Sequence, residues 1–163
     1  IIPRGRSLGA SWFLPEEHQI ITKSQFLDTI CMTLGGRAAE ELKFDEISSN
    51  ALDDLEKVTK QAYTMVVNYG LSNELRNISY YDSTGRMEQS LQKPFSEKTA
   101  EKIDEEVQRI IDEAYDKALE ILQQHRDKLD RLAQELLKKE LLQKKDIHKI
   151  LGDRVPSKNS VPA

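Results

Sequence analysis

The spacing of apolar residues predicts two helices between residues 22 and 70. Along the first, apolar side chains recur at steps of three and four residues: Phe26, Leu27, Ile30, Leu34, Ala38 and Leu42. Thr22 and Gln25 have the spacing of a capping box, so we expect this helix to begin at Thr22. Gly35 and Gly36 interrupt the pattern, where each costs about 1 kcal/mol relative to alanine. Close approach of another backbone would explain both glycines, and we expect a second helix to cross there.

The second helix is expected from about Asn50 to Tyr69. Its apolar stripe comprises Leu55, Val58, Ala62, Met65, Val66 and Tyr69. Ser49 or Asn50 is the expected N-cap, because both side chains can accept a hydrogen bond from a free backbone N–H. Gly70 follows the stripe directly, which is typical of the residue that ends a helix.

The remaining segments before residue 96 contain no helical pattern. Residues 1–21 alternate loosely between apolar and polar and are stopped by Pro15, which predicts strands and turns. Residues 77–82, NISYYD, are the only further strand-like run, and residues 83–94 are a polar loop that we expect to be mobile.

From residue 96 onward the chain is strongly charged with regularly spaced apolar residues. Ile103, Val107, Ile110, Ala114, Ala118, Ile121 and Leu122 lie on one face. They predict one helix of about 30 residues, or two that abut near His125, followed by two shorter helices that close at Gly152. Residues 153–163 are expected to be disordered. The predicted fold is mainly α, with a small N-terminal β hairpin or edge strand and a C-terminal helical bundle, in one domain over residues 1–152.

The composition narrows the class of protein. The 163 residues are 38% hydrophobic and 32% charged, with a net charge of -4. This acidic balance argues against a nucleic-acid-binding protein, which would usually present a basic face. Cys31 lies in an apolar run and has no second cysteine to pair with, so we expect a buried thiol in a reducing compartment. No apolar run reaches the ~18–20 residues of a membrane span. The chain begins IIPRG without a methionine, and we expect it to be a piece of a longer protein.

Several common catalytic motifs are absent from the sequence. It contains no glycine-rich phosphate loop and no G-x-S-x-G nucleophile elbow. The three histidines, His18, His125 and His148, share no metal-ligand spacing, since a zinc site usually has two of them one helical turn apart. Cys31 has no histidine near it in the sequence, which argues against a cysteine nucleophile.

Two adjacent carboxylates, Asp53 and Asp54, fall in the first turn of the second helix. Acidic residues there complement the helix dipole and the unpaired N–H groups, and spacing alone favours this structural role. With Leu55 on the apolar stripe, however, one carboxylate is expected to face the buried side, where a bare charge needs a partner.

Four segments together resemble the peptidase domain of FtsH-type proteases, which are membrane-anchored, ATP-dependent zinc metalloproteases. They are IIPRG, LGASWFLP, CMTLGGRAAEEL and SSNALDDLEKVTKQAYTMVVNYGLS, and the later run KPFSEKTAEKIDEEVQRII is also similar. The resemblance covers nearly all of residues 1–152. It departs from the family at Ser49-Asn50, where Thr-Gly is usual.

The resemblance implies a zinc endopeptidase mechanism. In this family a helix with H-E-x-x-H supplies two zinc histidines and a general-base glutamate, and an aspartate from a later helix is the third ligand. The metal lowers the pKa of its bound water, and the resulting hydroxide attacks the scissile carbonyl. Asp54 matches the ligand aspartate, with Asp53 as its variable neighbour. Glu40 matches a glutamate expected to orient a ligand histidine.

The resemblance also implies a substrate-binding strand. The segment matching the edge strand on which peptides pair by strand addition consists of Leu8, Gly9, Ala10, Ser11, Trp12, Phe13 and Leu14.

The motif H-E-x-x-H does not occur in these 163 residues, so the chain offers one zinc ligand of three. We therefore expect it to be inactive by itself and not to hold zinc. ATP binding and membrane anchoring are expected in upstream parts of the longer protein. The resemblance further implies a homo- or hetero-hexamer acting on polypeptides, without nucleic acid, its peptidase domain in the bacterial cytoplasm or inside an organelle.

Two other interpretations remain. One is a catalytically dead FtsH relative with an assembly or chaperone role, which the upstream sequence would distinguish by the loss of H-E-x-x-H. The other is an unrelated helical scaffold.

Overall fold

The computed structural model of the protein describes residues 20–81 and 94–152. These residues form helices and connecting turns, with no β-strand among them. In chain order the elements are α1 (Lys23–Phe44), a 3-10 turn (Ser49–Ala51), α2 (Leu52–Val67), α3 (Glu97–Gln124), α4 (Arg126–Lys139) and α5 (Lys144–Leu151). The mainly α prediction is confirmed. The predicted N-terminal hairpin, the loop over 83–94 and the C-terminal tail lie wholly or almost wholly outside the described residues.

Helix α1 begins where the capping box places it. The side chain of Thr22 accepts a hydrogen bond from the Gln25 N–H at 3.3 Å, and the Gln25 side chain accepts one from the Thr22 N–H at 2.8 Å. The helix buries Ile30, Cys31, Leu34 and Ala38, four residues of one face. Cys31 is the buried free thiol that was predicted, and burial raises its pKa.

The glycine pair in α1 lacks the predicted close neighbour. A methyl group added at Gly35 or Gly36 would meet nothing within 4 Å in the described structure. None of the described helices therefore makes the expected crossing at this point. The two glycines leave an open stretch on the surface of α1.

Helix α2 begins at Leu52, two residues later than the predicted start at about Asn50. The chain enters through a 3-10 turn capped by Ser48, whose side chain accepts a hydrogen bond from the Asn50 N–H at 3.3 Å. The prediction of Ser49 or Asn50 as the cap is therefore wrong. Because a 3-10 turn precedes the α-helix, the capping side chain is needed earlier in the chain.

The end of α2 is held by a sharp turn at Gly70. Gly70 has φ +57, and a Cβ there would lie 2.6 Å from the carbonyl oxygen of Ile78. The N–H of Asn77 donates to Gly70 O, and the N–H of Tyr80 donates to Val67 O at 2.8 Å. The predicted strand over 77–82 is therefore wrong for its described residues, because their backbone bonds the end of α2 instead of a neighbouring strand.

The chain divides into two compact units. One spans Ile20–Ile121, and the described part of the other covers residues 122–152. In the first, α1 packs on α2, and α3 buries Ile103, Glu106, Ile110, Ala114 and Ala118. In the second, α4 and α5 contact each other, and neither buries a residue fully. Residue 125 separates α3 from α4, so of the two predicted patterns the structure has the two helices that abut near His125.

No helix in the described ranges has both the length and the apolar character needed to cross a membrane.

Candidate functional site

The first turn of α2 places Asp54 at the protein surface. Its side chain is 46% exposed, and Oδ1 lies 3.3 Å from Nζ of Lys57, one turn further along. Asp53 is exposed, as is Leu52, which begins the helix. Neither carboxylate is buried, although Asp54 is less exposed than Asp53 and has Lys57 as its partner. An ion pair this exposed contributes about 0–1 kcal/mol.

Glu40 lies in the last two turns of α1 and bonds the connection to α2. Its Oε2 accepts a hydrogen bond from the N–H of Ser48 at 3.0 Å. Hydrogen bonds from the Ser48 side chain and backbone lower the pKa of Glu40, so its carboxylate is ionised at neutral pH. Glu40 thus contacts the turn at Ser48, six residues before Asp54. The contact with a ligand histidine that the family resemblance implies stays a prediction.

Arg37 contacts the same turn from one helical turn earlier on α1. Its Nη1 donates to the carbonyl oxygen of Ser48 at 3.4 Å, which is long for a hydrogen bond. Ser48 is therefore contacted on both of its backbone polar groups. Sequence reasoning missed Arg37, although its spacing of three residues from Glu40 puts both on one side of α1.

The described residues do not by themselves fit a zinc ion. Zinc in proteins takes three or four nitrogen, sulfur or oxygen donors. In residues 20–81 and 94–152, no group of three histidine, cysteine, aspartate or glutamate side chains is placed to hold a metal. His125 and His148 are exposed and belong to the other unit. Asp54 supplies a single carboxylate donor, and the predicted substrate strand Leu8–Leu14 lies outside the described residues.

An ion pair on α3 between the buried Glu106 and the partly exposed Arg109 was not predicted. Glu106 has a side chain only 5% exposed, and its two oxygens accept from Nε and Nη2 of Arg109 at 2.9 and 3.0 Å. Glu106 also accepts from the N–H of Asn73 at 3.1 Å, which ties the segment after Gly70 to α3. These bonds, those from Arg109 foremost, lower the pKa of Glu106.

The sequence did carry a signal for this glutamate. Glu106 falls three residues after Ile103 and four before Ile110, so it occupies a position of the apolar stripe. A charged residue on that face must find partners inside the protein.

A second polar contact joins α3 to α1. The hydroxyl of Tyr115 donates a hydrogen bond to the carboxylate of Glu41. Burial, and next the hydrogen bond to Glu41, raise the pKa of Tyr115 to about 12. On the same pair of helices, Lys117 and Asp28 form an exposed ion pair at 3.2 Å.

Comparison with known protein families matches residues 1–150 to Peptidase family M41. The chain belongs to this family. The predicted resemblance to the FtsH-type peptidase domain is thereby confirmed, and the interpretation as an unrelated helical scaffold is wrong.

The M41 chain is similar to several curated proteins over almost its whole length. It is 53% identical to "ATP-dependent zinc metalloprotease FtsH" of Parabacteroides distasonis, covering 94% of this chain and 22% of that protein. It is 58% identical to the protein of the same name from Karelsulcia muelleri, covering 93% and 24%. It is 44% identical to "Mitochondrial inner membrane m-AAA protease component AFG3L1" of Mus musculus, covering 94% and 19%. The chain thus spans about a fifth to a quarter of the length of these relatives.

Proposed function

We propose that this M41 chain is part of the peptidase domain of an ATP-dependent zinc metalloendopeptidase, with Asp54 as one zinc ligand. The observation that carries the proposal is the family match over residues 1–150, together with the accessible carboxylate of Asp54 at the start of α2. The relatives named as zinc metalloproteases support the same reaction class.

The surroundings of Asp54 suit a metal ligand better than those of Asp53. Val58, four residues after Asp54 and therefore on the same side of α2, is fully buried. Asp54 thus lies at the edge of the packed face, whereas Asp53 lies towards solvent. A carboxylate in the first turn of a helix complements the helix dipole, and carboxylate oxygens are among the donors that zinc takes in proteins.

The ion pair with Lys57 is a weak competitor for a metal. The side chain of Lys57 is 64% exposed, so the ammonium group can return to water when Asp54 takes another partner. A cation at Asp54 would therefore displace Lys57 at little cost in free energy.

We further propose that the other zinc donors lie elsewhere in the longer protein. The sequence contains no H-E-x-x-H, so this chain alone is expected to bind zinc weakly and to lack peptidase activity. Its longer protein would bind ATP through a separate module, assemble as a homo- or hetero-hexamer, and degrade unfolded and membrane polypeptides. The name of the mouse relative, a membrane protease component, agrees with membrane anchoring through other segments. The buried free thiol of Cys31 suits a reducing compartment such as the bacterial cytoplasm or an organelle interior.

Zinc content tests the assignment of Asp54. In the longer protein, Asp54→Ala should lose both bound zinc and peptidase activity, whereas the matched control Asp53→Ala should retain both. Metal analysis and cleavage of an unfolded substrate give the two readouts. Wild-type zinc content in Asp54→Ala would refute the assignment. If the longer wild-type protein holds no zinc and cleaves nothing, it is instead a catalytically dead relative.

Zinc titration of the chain alone tests the other half of the proposal. Calorimetry should detect no tight stoichiometric site. Stoichiometric binding accompanied by peptidase activity would show that these 163 residues are sufficient, contrary to the proposal.

A further inference from the structure

We propose that Arg37 and Glu40 are positioning residues that hold the peptide groups of Ser48 and thereby fix the start of α2. The N–H of Ser48 donates to Glu40 Oε2 at 3.0 Å, and its carbonyl oxygen accepts from Arg37 Nη1 at 3.4 Å. The donor and the acceptor of one residue are thus both bound by one face of α1. We call this arrangement the Ser48 clamp.

The side chain of Ser48 connects the clamp to the 3-10 turn that precedes α2. Its hydroxyl oxygen accepts from the N–H of Asn50 at 3.3 Å and caps the 3-10 turn. The residue at the N-cap of α2 proper is Ala51, which has no side chain able to cap. The position of the first turn of α2, including Asp54, therefore depends on Ser48.

Burial does little to fix this connection. Residues 43–50 are all exposed, and Ala51 is the first buried residue after Ala38. An exposed connection gains little from apolar packing, so its conformation depends on hydrogen bonds and turn geometry. Among the described residues, the bond from the Asp45 N–H to Glu41 O at 2.8 Å holds the start of the connection, and the two bonds to Ser48 hold its far end to α1.

The clamp assigns Glu40 a role different from the one that the family resemblance implies. A carboxylate that orients a metal-ligand histidine also raises the basicity of the ring through its negative charge, which glutamine lacks. A carboxylate that accepts a backbone N–H can be replaced by the side-chain oxygen of glutamine, which accepts the same bond. The variants Glu40→Gln and Glu40→Ala therefore show whether an accepting oxygen at position 40 is enough to hold the Ser48 backbone.

Amide hydrogen exchange on this 163-residue chain provides the test. Glu40→Ala should accelerate exchange at Ser48, Asn50 and residues 55–57 about tenfold, since a charge-assisted bond is lost. Amides of residues 64–67, at the other end of α2, should exchange as in the wild type. Glu40→Gln should restore exchange to within about twofold of the wild type, and Arg37→Ala should cause a smaller acceleration because its bond is longer.

The control is Glu46→Ala, which removes an exposed carboxylate from the same connection and should change nothing. Circular dichroism verifies that each variant keeps its helix content. The clamp would be overturned by wild-type exchange in Glu40→Ala, by equal acceleration in Glu40→Gln and Glu40→Ala, or by acceleration in Glu46→Ala. Uniform acceleration along the whole of α2 would also overturn it, because it indicates general destabilisation.

The contacts of the clamp do not depend on zinc. The clamp rests on the proposed function only in its consequence for Asp54, the proposed zinc ligand. The exchange experiment contains no zinc and measures the backbone directly. The clamp can therefore fail while Asp54→Ala still loses zinc, and it can hold while Asp54→Ala keeps zinc.

Discussion

The hydroxyl of Tyr115 on α3 donates a hydrogen bond to the carboxylate of Glu41 on α1, although 74 residues separate them in the sequence. Both side chains are half-buried, so the bond is made partly away from water. It is a direct polar link between α3 and the helix that precedes the candidate site.

Removing this hydroxyl should weaken the protein. Tyr115→Phe keeps the ring but leaves the Glu41 carboxylate without this donor, and we expect the free energy of unfolding to fall by about 1 kcal/mol. Urea denaturation at pH 7 measures the change. Tyr63→Phe, at an exposed position on α2, is the control and should stay within about 0.5 kcal/mol of the wild type. Equal effects of both substitutions would argue against the contact.

Because of the raised pKa of Tyr115, we expect the free energy of unfolding to fall at alkaline pH. Its pKa is raised from 10.0 to about 12, so the folded state holds the proton more tightly than the unfolded state does. The resulting stabilisation is complete below pH 10 and is lost as the pH rises through about 12. The difference in unfolding free energy between wild type and Tyr115→Phe should therefore shrink as the pH rises from 10 to about 12, because over this range the tyrosine ionises more readily in the unfolded state than in the folded state. A constant difference across this range would contradict the prediction.

The buried carboxylate of Glu106 should contribute more than an exposed one. Glu106→Gln removes the charge facing Arg109, and we expect a loss of about 2 kcal/mol at pH 7, since Arg109 is partly exposed and regains some hydration. Glu105→Gln, at the exposed neighbouring position, should change stability by less than about 0.5 kcal/mol. Chemical denaturation of the three proteins gives the comparison.

The effect of Glu106 should also depend on pH. The pKa of Glu106 is lowered in the folded state, so its stabilisation is present above the ordinary value of 4.5 and is lost as the pH falls below it. The gap between wild type and Glu106→Gln should therefore narrow as the pH is lowered below 4.5. A gap that widens on acidification would show that the sign is wrong.

Two glycines should respond to alanine in opposite directions. Gly70→Ala should destabilise this chain by more than about 1 kcal/mol, because the residue has φ +57 and its Cβ would meet the Ile78 backbone. Gly35→Ala should stabilise it by about 0.5–1 kcal/mol, because the site is helical and open. Thermal or urea unfolding measures both changes. If Gly35→Ala is strongly destabilising in this chain, another segment packs closely on α1 there.

Sequence reasoning was most accurate where the determinants are local. The start of α1 at Thr22 and the stop at Gly70 follow from side chains that bond, or backbones that turn, within a few residues. It failed at the start of α2, because a 3-10 turn moves the cap back to Ser48. A change of helix type over three residues leaves no periodic signal in the sequence.

For the candidate site, the family resemblance singled out Asp54 and Glu40, while their surroundings came from the structure. Periodicity predicted that one carboxylate beside Leu55 faces the buried side; Asp54 is less exposed than Asp53, but it is nearly half exposed and paired with Lys57. Periodicity describes which side of a helix an apolar stripe occupies, and it does not say how far the packed neighbours extend along that side.

The helices and the family of this protein follow from the sequence alone, because the repeat of 3.6 residues, the caps and the family motifs all consist of residues close together in the chain. The tertiary structure alone decided that Glu106 bonds the N–H of Asn73, 33 residues away, and that Glu41 accepts from Tyr115. It alone decided that Glu40 and Arg37 meet at Ser48. Each of these contacts depends on how the chain folds back on itself, and the geometry of that return is set by packing that no local pattern contains.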